Sequence, residues 1–176
     1  MKNLSLTIVI PIGPGDESWR SLIEELKSIF LKESIPFKAN VVLCFSKEEE
    51  GLLLNELDFF KKQEALPITP VISSRGRSIQ LNRGAEVAEG DFLWFLHADS
   101  KLEASSLLKL YQSVLDDPKA LHYFDLHFLR DGPDLTYLNE WGARFRSEVF
   151  KMPFGDQGFC IKKETFWFLG GFLIGG

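Results

Sequence analysis

Apolar positions along this chain switch between two periods, one suited to strands and one to helices. Leu4-Ser-Leu-Thr-Ile-Val-Ile-Pro11 is apolar and β-branched, reads as a buried strand, and is stopped by Pro11 and the Gly13-Pro14-Gly15 turn. Asp16 can then cap a helix on which Trp19, Leu22, Ile23, Leu26, Ile29 and Phe30 recur at three- and four-residue spacing. Asn40–Phe45 reads as a second strand, followed by a helix over 48–64 whose inner face carries Leu52, Leu53, Glu56, Leu57 and Phe60. A short third strand over 68–72 leads to a helix over 77–88 that ends at Gly90.

The stretch 91–97 is the most hydrophobic strand, as expected of one covered on both faces. Helix 103–115, a less regular strand over 121–129, helix 133–150, a strand over 158–161 and a short helix over 163–169 complete the pattern. Strand and helix alternate four times before the pattern loosens, which predicts an α/β fold with a mostly parallel central sheet flanked by helices.

Composition narrows the function without naming it. The 176 residues suit a single domain, 1–176, at ~100–200 residues per domain. Twenty Lys+Arg against 25 Asp+Glu gives net −5 with no basic block, which argues against nucleic acid as the main partner. Cys44 and Cys160 lie far apart in apolar stretches and read as reduced core residues. No segment reads as a cleavable leader, and none approaches the ~18 consecutive apolar residues of a membrane span. A cytoplasmic protein is the expectation, and sixteen Phe and four Trp leave room for peripheral membrane contact.

In open sheets of this kind ligands sit beyond the carboxyl ends of the strands. Those ends carry Pro11-Ile-Gly-Pro-Gly-Asp16-Glu17, Ser73-Ser-Arg-Gly-Arg77 and His97-Ala98-Asp99-Ser100, an assembly suited to an anion and a metal. Asp99 suits a hard cation such as Mg²⁺ or Mn²⁺, and His97 two residues earlier can share its direction. The alternative is that Asp99 caps a turn and His97 is a satisfied strand-end residue. Arg75 and Arg77 precede a helix start and suit phosphate, or else mark a solvated turn. Gln80, Asn82 and Gly84 are odd choices inside a helix, a violation that often marks a site or close packing. His122, Asp125 and His127 could coordinate metal, but strand alternation splits them and favours packing and solvent. Trp141, Phe145 and Val149 read as a helix face for the core or a membrane surface, and Trp94 as core.

Gly76-Arg-Ser-Ile-Gln80-Leu-Asn82-Arg-Gly84-Ala85, followed by Ala88-Glu-Gly90-Asp91 and Leu96-His97-Ala98-Asp99, resembles family 2 glycosyltransferases of the GT-A fold. More narrowly it resembles the arsenosugar-biosynthesis or selenodomain-associated subgroup, whose metal motif is His-Ala-Asp. Pro153-Phe-Gly155-Asp156-Gln157-Gly158 and Gly170-Gly171-Phe172 match the same subgroup. The resemblance implies inverting, divalent-metal-dependent transfer of a sugar from a nucleotide donor to an acceptor hydroxyl. On it, Pro11 and Glu17 open the nucleotide pocket, Arg77 and Asn82 line the donor, and Asp99, with His97, serves the metal. Gly155, Asp156, Gln157 and Gly158 fall on the loop over donor sugar and acceptor.

Two departures stand out. After its second strand the family usually has an acid that contacts the base, where this chain has Cys44-Phe-Ser-Lys-Glu48-Glu49-Glu50, read as a solvated helix start. The family's general base lies in a Glu-Asp pair beyond Gly-Gly-Phe, whereas here Leu173-Ile-Gly-Gly176 follows. Asp156 is the surviving candidate. On the resemblance the chain is then a C-terminally truncated transferase, one that borrows its base, or an inactive nucleotide-sugar-binding module. A nucleotidyltransferase is disfavoured, because no Arg or Lys follows the first glycine-rich turn until Arg20.

Overall fold

A computed structural model describes residues 4–32, 35–61, 65–123 and 158–174. Its elements are β1 (Leu4–Pro11), α1 (Ser18–Lys32), β2 (Phe37–Ser46), a 3₁₀ turn (Lys47–Glu49), α2 (Glu50–Lys61), β3 (Ile68–Ser73), α3 (Arg77–Val87), β4 (Phe92–Phe95), α4 (Ala104–Asp116), β5 (His122–Tyr123), β6 (Phe159–Lys162) and α5 (Lys163–Phe168). The expected helix 133–150, most of the strand over 121–129, and Gly155, Asp156 and Gln157 lie outside the described residues.

One six-stranded sheet runs in the order β3-β2-β1-β4-β6-β5. The pairs β1–β2, β1–β4 and β2–β3 are parallel, whereas β6 is antiparallel to both β4 and β5. The fold is therefore the expected α/β sheet, mostly parallel. Strand order reverses between β1 and β4, which leaves a crevice beyond their carboxyl ends.

The alternation of side chains along β1 divides the interior in two. Leu6, Ile8, Ile10 and Ile12 join one cluster with α1, α2 and α4, which includes Trp19, Leu53, Phe60 and Leu107. Val9 joins the other, with Leu81 and Ala85 of α3 and Phe166 of α5. The same parity in β4 sends Phe92 and Trp94 to the first cluster and Leu93 and Phe95 to the second. Trp94 is core, as expected, and Cys44 and Cys160 are free, buried thiols.

Three readings of local structure change. The helix expected from residue 48 opens as the 3₁₀ turn and becomes α-helical at Glu50. Asp16 serves the start of α1 from one residue outside its expected cap position: its Oδ1 accepts the Ser18 N–H at 2.9 Å. Gly90 does not end α3, which stops at Val87. Its place is set by close approach to β1, because an added Cβ would lie 2.6 Å from the Thr7 backbone nitrogen.

Candidate active site

The crevice is assembled from the chain just after β1, β3 and β4. Pro11 ends β1 beside Cys44 of β2, and the Ile12 N–H donates to the Cys44 carbonyl at 2.9 Å. The glycine turn that follows is fastened from β2's side, where Glu49 Oε1 accepts the Gly15 N–H at 3.1 Å. Glu17 is exposed and paired with Arg20, whose Nη2 also donates to Glu56 at 2.8 Å. Those two carboxylates, Glu56 first, raise the Arg20 pKa, and its guanidinium also lies over the Trp19 ring at 4.4 Å. Arg20 is thus committed to structure at the β1 end.

Beyond β3, Gly76 has a φ of 137°, a backbone conformation suited to glycine, and immediately precedes α3. Arg77 stands exposed at the first position of that helix, and its Nη2 donates to Nε2 of His97. At the end of β4 the chain closes a turn: the His97 N–H donates to Ser100 Oγ at 3.0 Å, and the Ser100 N–H returns to the His97 carbonyl at 3.2 Å. Ala98 is buried beneath this turn, and Asp99 is exposed on it. Among the described residues the Asp99 carboxylate has no hydrogen-bond partner.

Asn82 is turned toward the other end of α3. Its Nδ2 donates to the Phe172 carbonyl and its Oδ1 accepts the Phe172 N–H, both at 2.9 Å. The amide expected on the donor is therefore engaged on backbone. Gly158 lies at the carboxyl end of β4, where an added Cβ would sit 2.8 Å from Leu96 Cδ2. The structure thus gathers Pro11, Arg77, His97, Asp99 and Gly158 at one edge of the sheet, leaves Glu17 paired with Arg20, and pairs Asn82 with Phe172.

Sequence reasoning flags Gln80 without giving it a task. The side chain is buried, and Nε2 donates at 2.7 Å to the carbonyls of both Ile12 and Cys44. It joins the carboxyl ends of β1 and β2 from within α3. Its signal was a polar residue on the inner face of a helix. Of the acids after β2, Glu48 is exposed and its carboxyl is held below the usual range by the Ser46 hydroxyl, then by its own backbone N–H and the charge of Arg75. Burial and desolvation there are slight, which fits the solvated helix start read from the sequence. Asp125 and His127 lie outside the described residues, while His122 Nε2 faces the Asp117 carbonyl at 3.0 Å.

Among the described residues no three His, Cys, Asp or Glu side chains come together as a metal cage. A cation at Asp99 would rest on one protein carboxylate and take its other positions from ligand oxygens and water. Mg²⁺ and Mn²⁺ tolerate that arrangement, since hard cations of this type keep several waters and share phosphate oxygens.

The sequence signature of Glycosyl transferase family 2 matches residues 60–169, more than half of the chain. The chain belongs to glycosyl transferase family 2. Its fold is similar to a mannosyltransferase, PcManGT from Pyrobaculum calidifontis, solved with GDP-Man and Mn²⁺: TM-score 0.70, 19% identity, covering 97% of this chain and 48% of that one. It is also similar to residues 1–349 of TarS from S. aureus, solved with UDP-GlcNAc, with TM-score 0.56, 12% identity and coverage of 74% and 36%. This family 2 chain therefore spans about half, or less, of those two proteins. A third likeness is 4-diphosphocytidyl-2C-methyl-D-erythritol synthase from Anaerococcus prevotii, with TM-score 0.56, 10% identity and coverage of 99% and 80%. Curated proteins give no significant match to the sequence. Among the described residues, no helix of this family 2 chain is long and apolar enough to cross a membrane.

Proposed function

We propose that this chain moves a sugar from a nucleoside-diphosphate donor to an acceptor hydroxyl, with inversion and with Mg²⁺ or Mn²⁺. The observation that carries the reading is Asp99: an exposed carboxylate without a partner among the described residues, one strand away from Pro11 and beside the Arg77–His97 pair. The fold relatives solved with GDP-Man and Mn²⁺, and with UDP-GlcNAc, support a nucleotide-sugar donor. Within the family, His97-Ala98-Asp99 favours the arsenosugar-biosynthesis or selenodomain-associated subgroup.

On this reading Asp99 holds the cation, which when bound neutralises charge on the diphosphate. Arg77 offers further N–H donors to the same oxygens, where charge grows as the bond from the anomeric carbon to the diphosphate breaks. Pro11, Glu17 and Asn82 belong to the donor's surroundings. Gly158, with Gly155, Asp156 and Gln157 before it, belongs to the sugar and acceptor loop. The attacking hydroxyl must give up its proton as its oxygen bonds to the anomeric carbon, and Asp156 is the candidate base. Two separate buried thiols fit a reducing, cytoplasmic setting. The exposed Phe168, Leu169 and Leu173 are the side chains on which peripheral membrane contact would rest.

The test is Asp99→Asn, which keeps the side chain's shape and removes its charge. With UDP and GDP as probes, Mn²⁺ should raise nucleotide affinity in the native protein and have little effect in the variant. Sugar transfer should fall by about 10²-fold or more, the scale of losing one charge-stabilising group. An unchanged Mn²⁺ effect in Asp99→Asn would remove the basis of the reading.

A further inference from the structure

We propose that His97 is a positioning residue that holds Arg77 at the mouth of the sheet, and that it is not a ligand of the cation. The inference rests on the transferase reading above and assigns a task to a residue that composition and spacing left between metal ligand and strand-end filler.

Strand parity brings the two side chains together. Leu93 and Phe95 of β4 point to the α3 side of the sheet, packing in the cluster that contains Leu81 and Ala85. Two residues on, His97 meets α3 at its first residue, where Arg77 Nη2 donates to His97 Nε2. A guanidinium is always protonated and has only N–H donors, so the ring atom facing it must carry a lone pair. A neutral imidazole has one such nitrogen, and its other nitrogen carries the proton. While the pair stands, neither ring nitrogen is open to a cation.

The two partners differ in how firmly they are rooted. His97 springs from the rigid end of β4: the Leu96 N–H donates to the Val9 carbonyl at 3.0 Å, and the His97 backbone is closed onto Ser100 from both sides. Arg77 opens a helix whose preceding residue is a glycine at φ 137°, with no side-chain cap. A long, exposed side chain on such a root loses rotamer freedom when it binds an anion, and a prior hydrogen bond takes up part of that loss. The imidazole engages the guanidinium at Nη2, one point on a planar group that carries five N–H donors in all.

Two measurements decide the matter, one of which needs no nucleotide. In ¹⁵N-edited spectra at neutral pH, the His97 ring should show a bare Nε2 and a protonated Nδ1, and the Nε2 signal should move in Arg77→Ala. A protonated Nε2, or a signal indifferent to Arg77→Ala, overturns the proposal even if no nucleotide ever binds. With UDP and GDP in turn, His97→Ala should weaken binding about five- to tenfold, the scale of one ordinary hydrogen bond. His97→Gln, which restores an acceptor oxygen, should recover most of that loss, and His97→Ala in an Arg77→Ala background should add nothing. The affinity for Mn²⁺ alone should be unchanged in His97→Ala and lost in Asp99→Asn. Effects of the two substitutions that multiply, or an Mn²⁺ loss in His97→Ala matching that of Asp99→Asn, overturn the assignment. Absence of nucleotide binding by the native protein would count against the transferase reading and leave the spectroscopic result to judge the pair.

Discussion

Single residues in this chain are set by what surrounds them more than by their own chemistry, and Cys44 shows the effect most directly. Its thiol lies wholly inside the cluster between β2 and α3, and burial pushes its pKa up to about 12. Cys160, on β6, is pushed up as well, by the same loss of solvent. The native protein therefore keeps both protons where the unfolded chain, with ordinary thiols near 9, has begun to release them. A native pKa above the unfolded one means full stability below about pH 9 and loss above it, by about 1.4 kcal/mol per pH unit for each thiol. Urea unfolding between pH 7 and 11 should show that decline, and Cys44→Ala with Cys160→Ala should make it shallower; an equal slope in the variant would assign the alkaline loss to other groups. Neither native thiol should react with an aromatic disulfide reagent at pH 8, because a buried thiol is inert. Asn82 makes the same point for the site: its residue type suits a donor pocket, yet both ends of its amide are engaged by Phe172.

At the scale of elements, α3 does more than cover the sheet. Gly84 lets it lie against β1 and β2 so closely that an added Cβ would sit 2.3 Å from Val9 Cγ1 and 2.6 Å from Cys44 Sγ. Both of those side chains are fully buried and short, so neither can swing away. Gly84→Ala should therefore lower stability by roughly 1–3 kcal/mol, the usual cost of overpacking a filled core. Val9→Ala in the same protein should return part of the loss, and thermal melting of the parent and the two variants reads it; a Gly84→Ala protein as stable as the parent would show that α3 has room to shift. The same close approach brings Gln80 within reach of the Ile12 and Cys44 carbonyls, so packing and site geometry share one cause. Much of this element was legible beforehand. The helix start and the odd residues 80, 82 and 84 could be read from propensity, because a local rule was broken there. Their partners could not, since Gln80 reaches Ile12 across 68 positions and Asn82 reaches Phe172 across 90. Only the packed sheet makes such pairs neighbours. The 3₁₀ opening before α2 and the task of Gly90 escaped for a similar reason: local sequence marks a turn but not which backbone approaches it.

For the whole molecule the question is which chemistry the shared sheet supports, because a nucleotidyl-transferring fold and sugar-transferring folds both resemble it. The distribution of charge separates them. A triphosphate site needs a basic group over the loop after β1, and the first one there, Arg20, is bound to Glu17 and Glu56 and stacked on Trp19. Exposed positive groups instead follow β3, at Arg75 and Arg77, and an exposed carboxylate follows β4, at Asp99. On the proposed reading, that order would take a diphosphate lying from β3 toward β4, with the sugar beyond it near Gly158. A ligand at 100 times its dissociation constant stabilises by about 2.7 kcal/mol, or about 5–10 °C for a chain of this size. With Mn²⁺ present, nucleoside diphosphates and their sugars should give shifts on that scale, and one base should stand out from the others. Nucleoside triphosphates should give no larger shift than the matching diphosphate, and no pyrophosphate should appear when they are incubated with the protein. Pyrophosphate release, removed by Arg20→Ala but not by Asp99→Asn, would instead locate the working phosphate site at the β1 loop and make the carboxylate after β4 incidental.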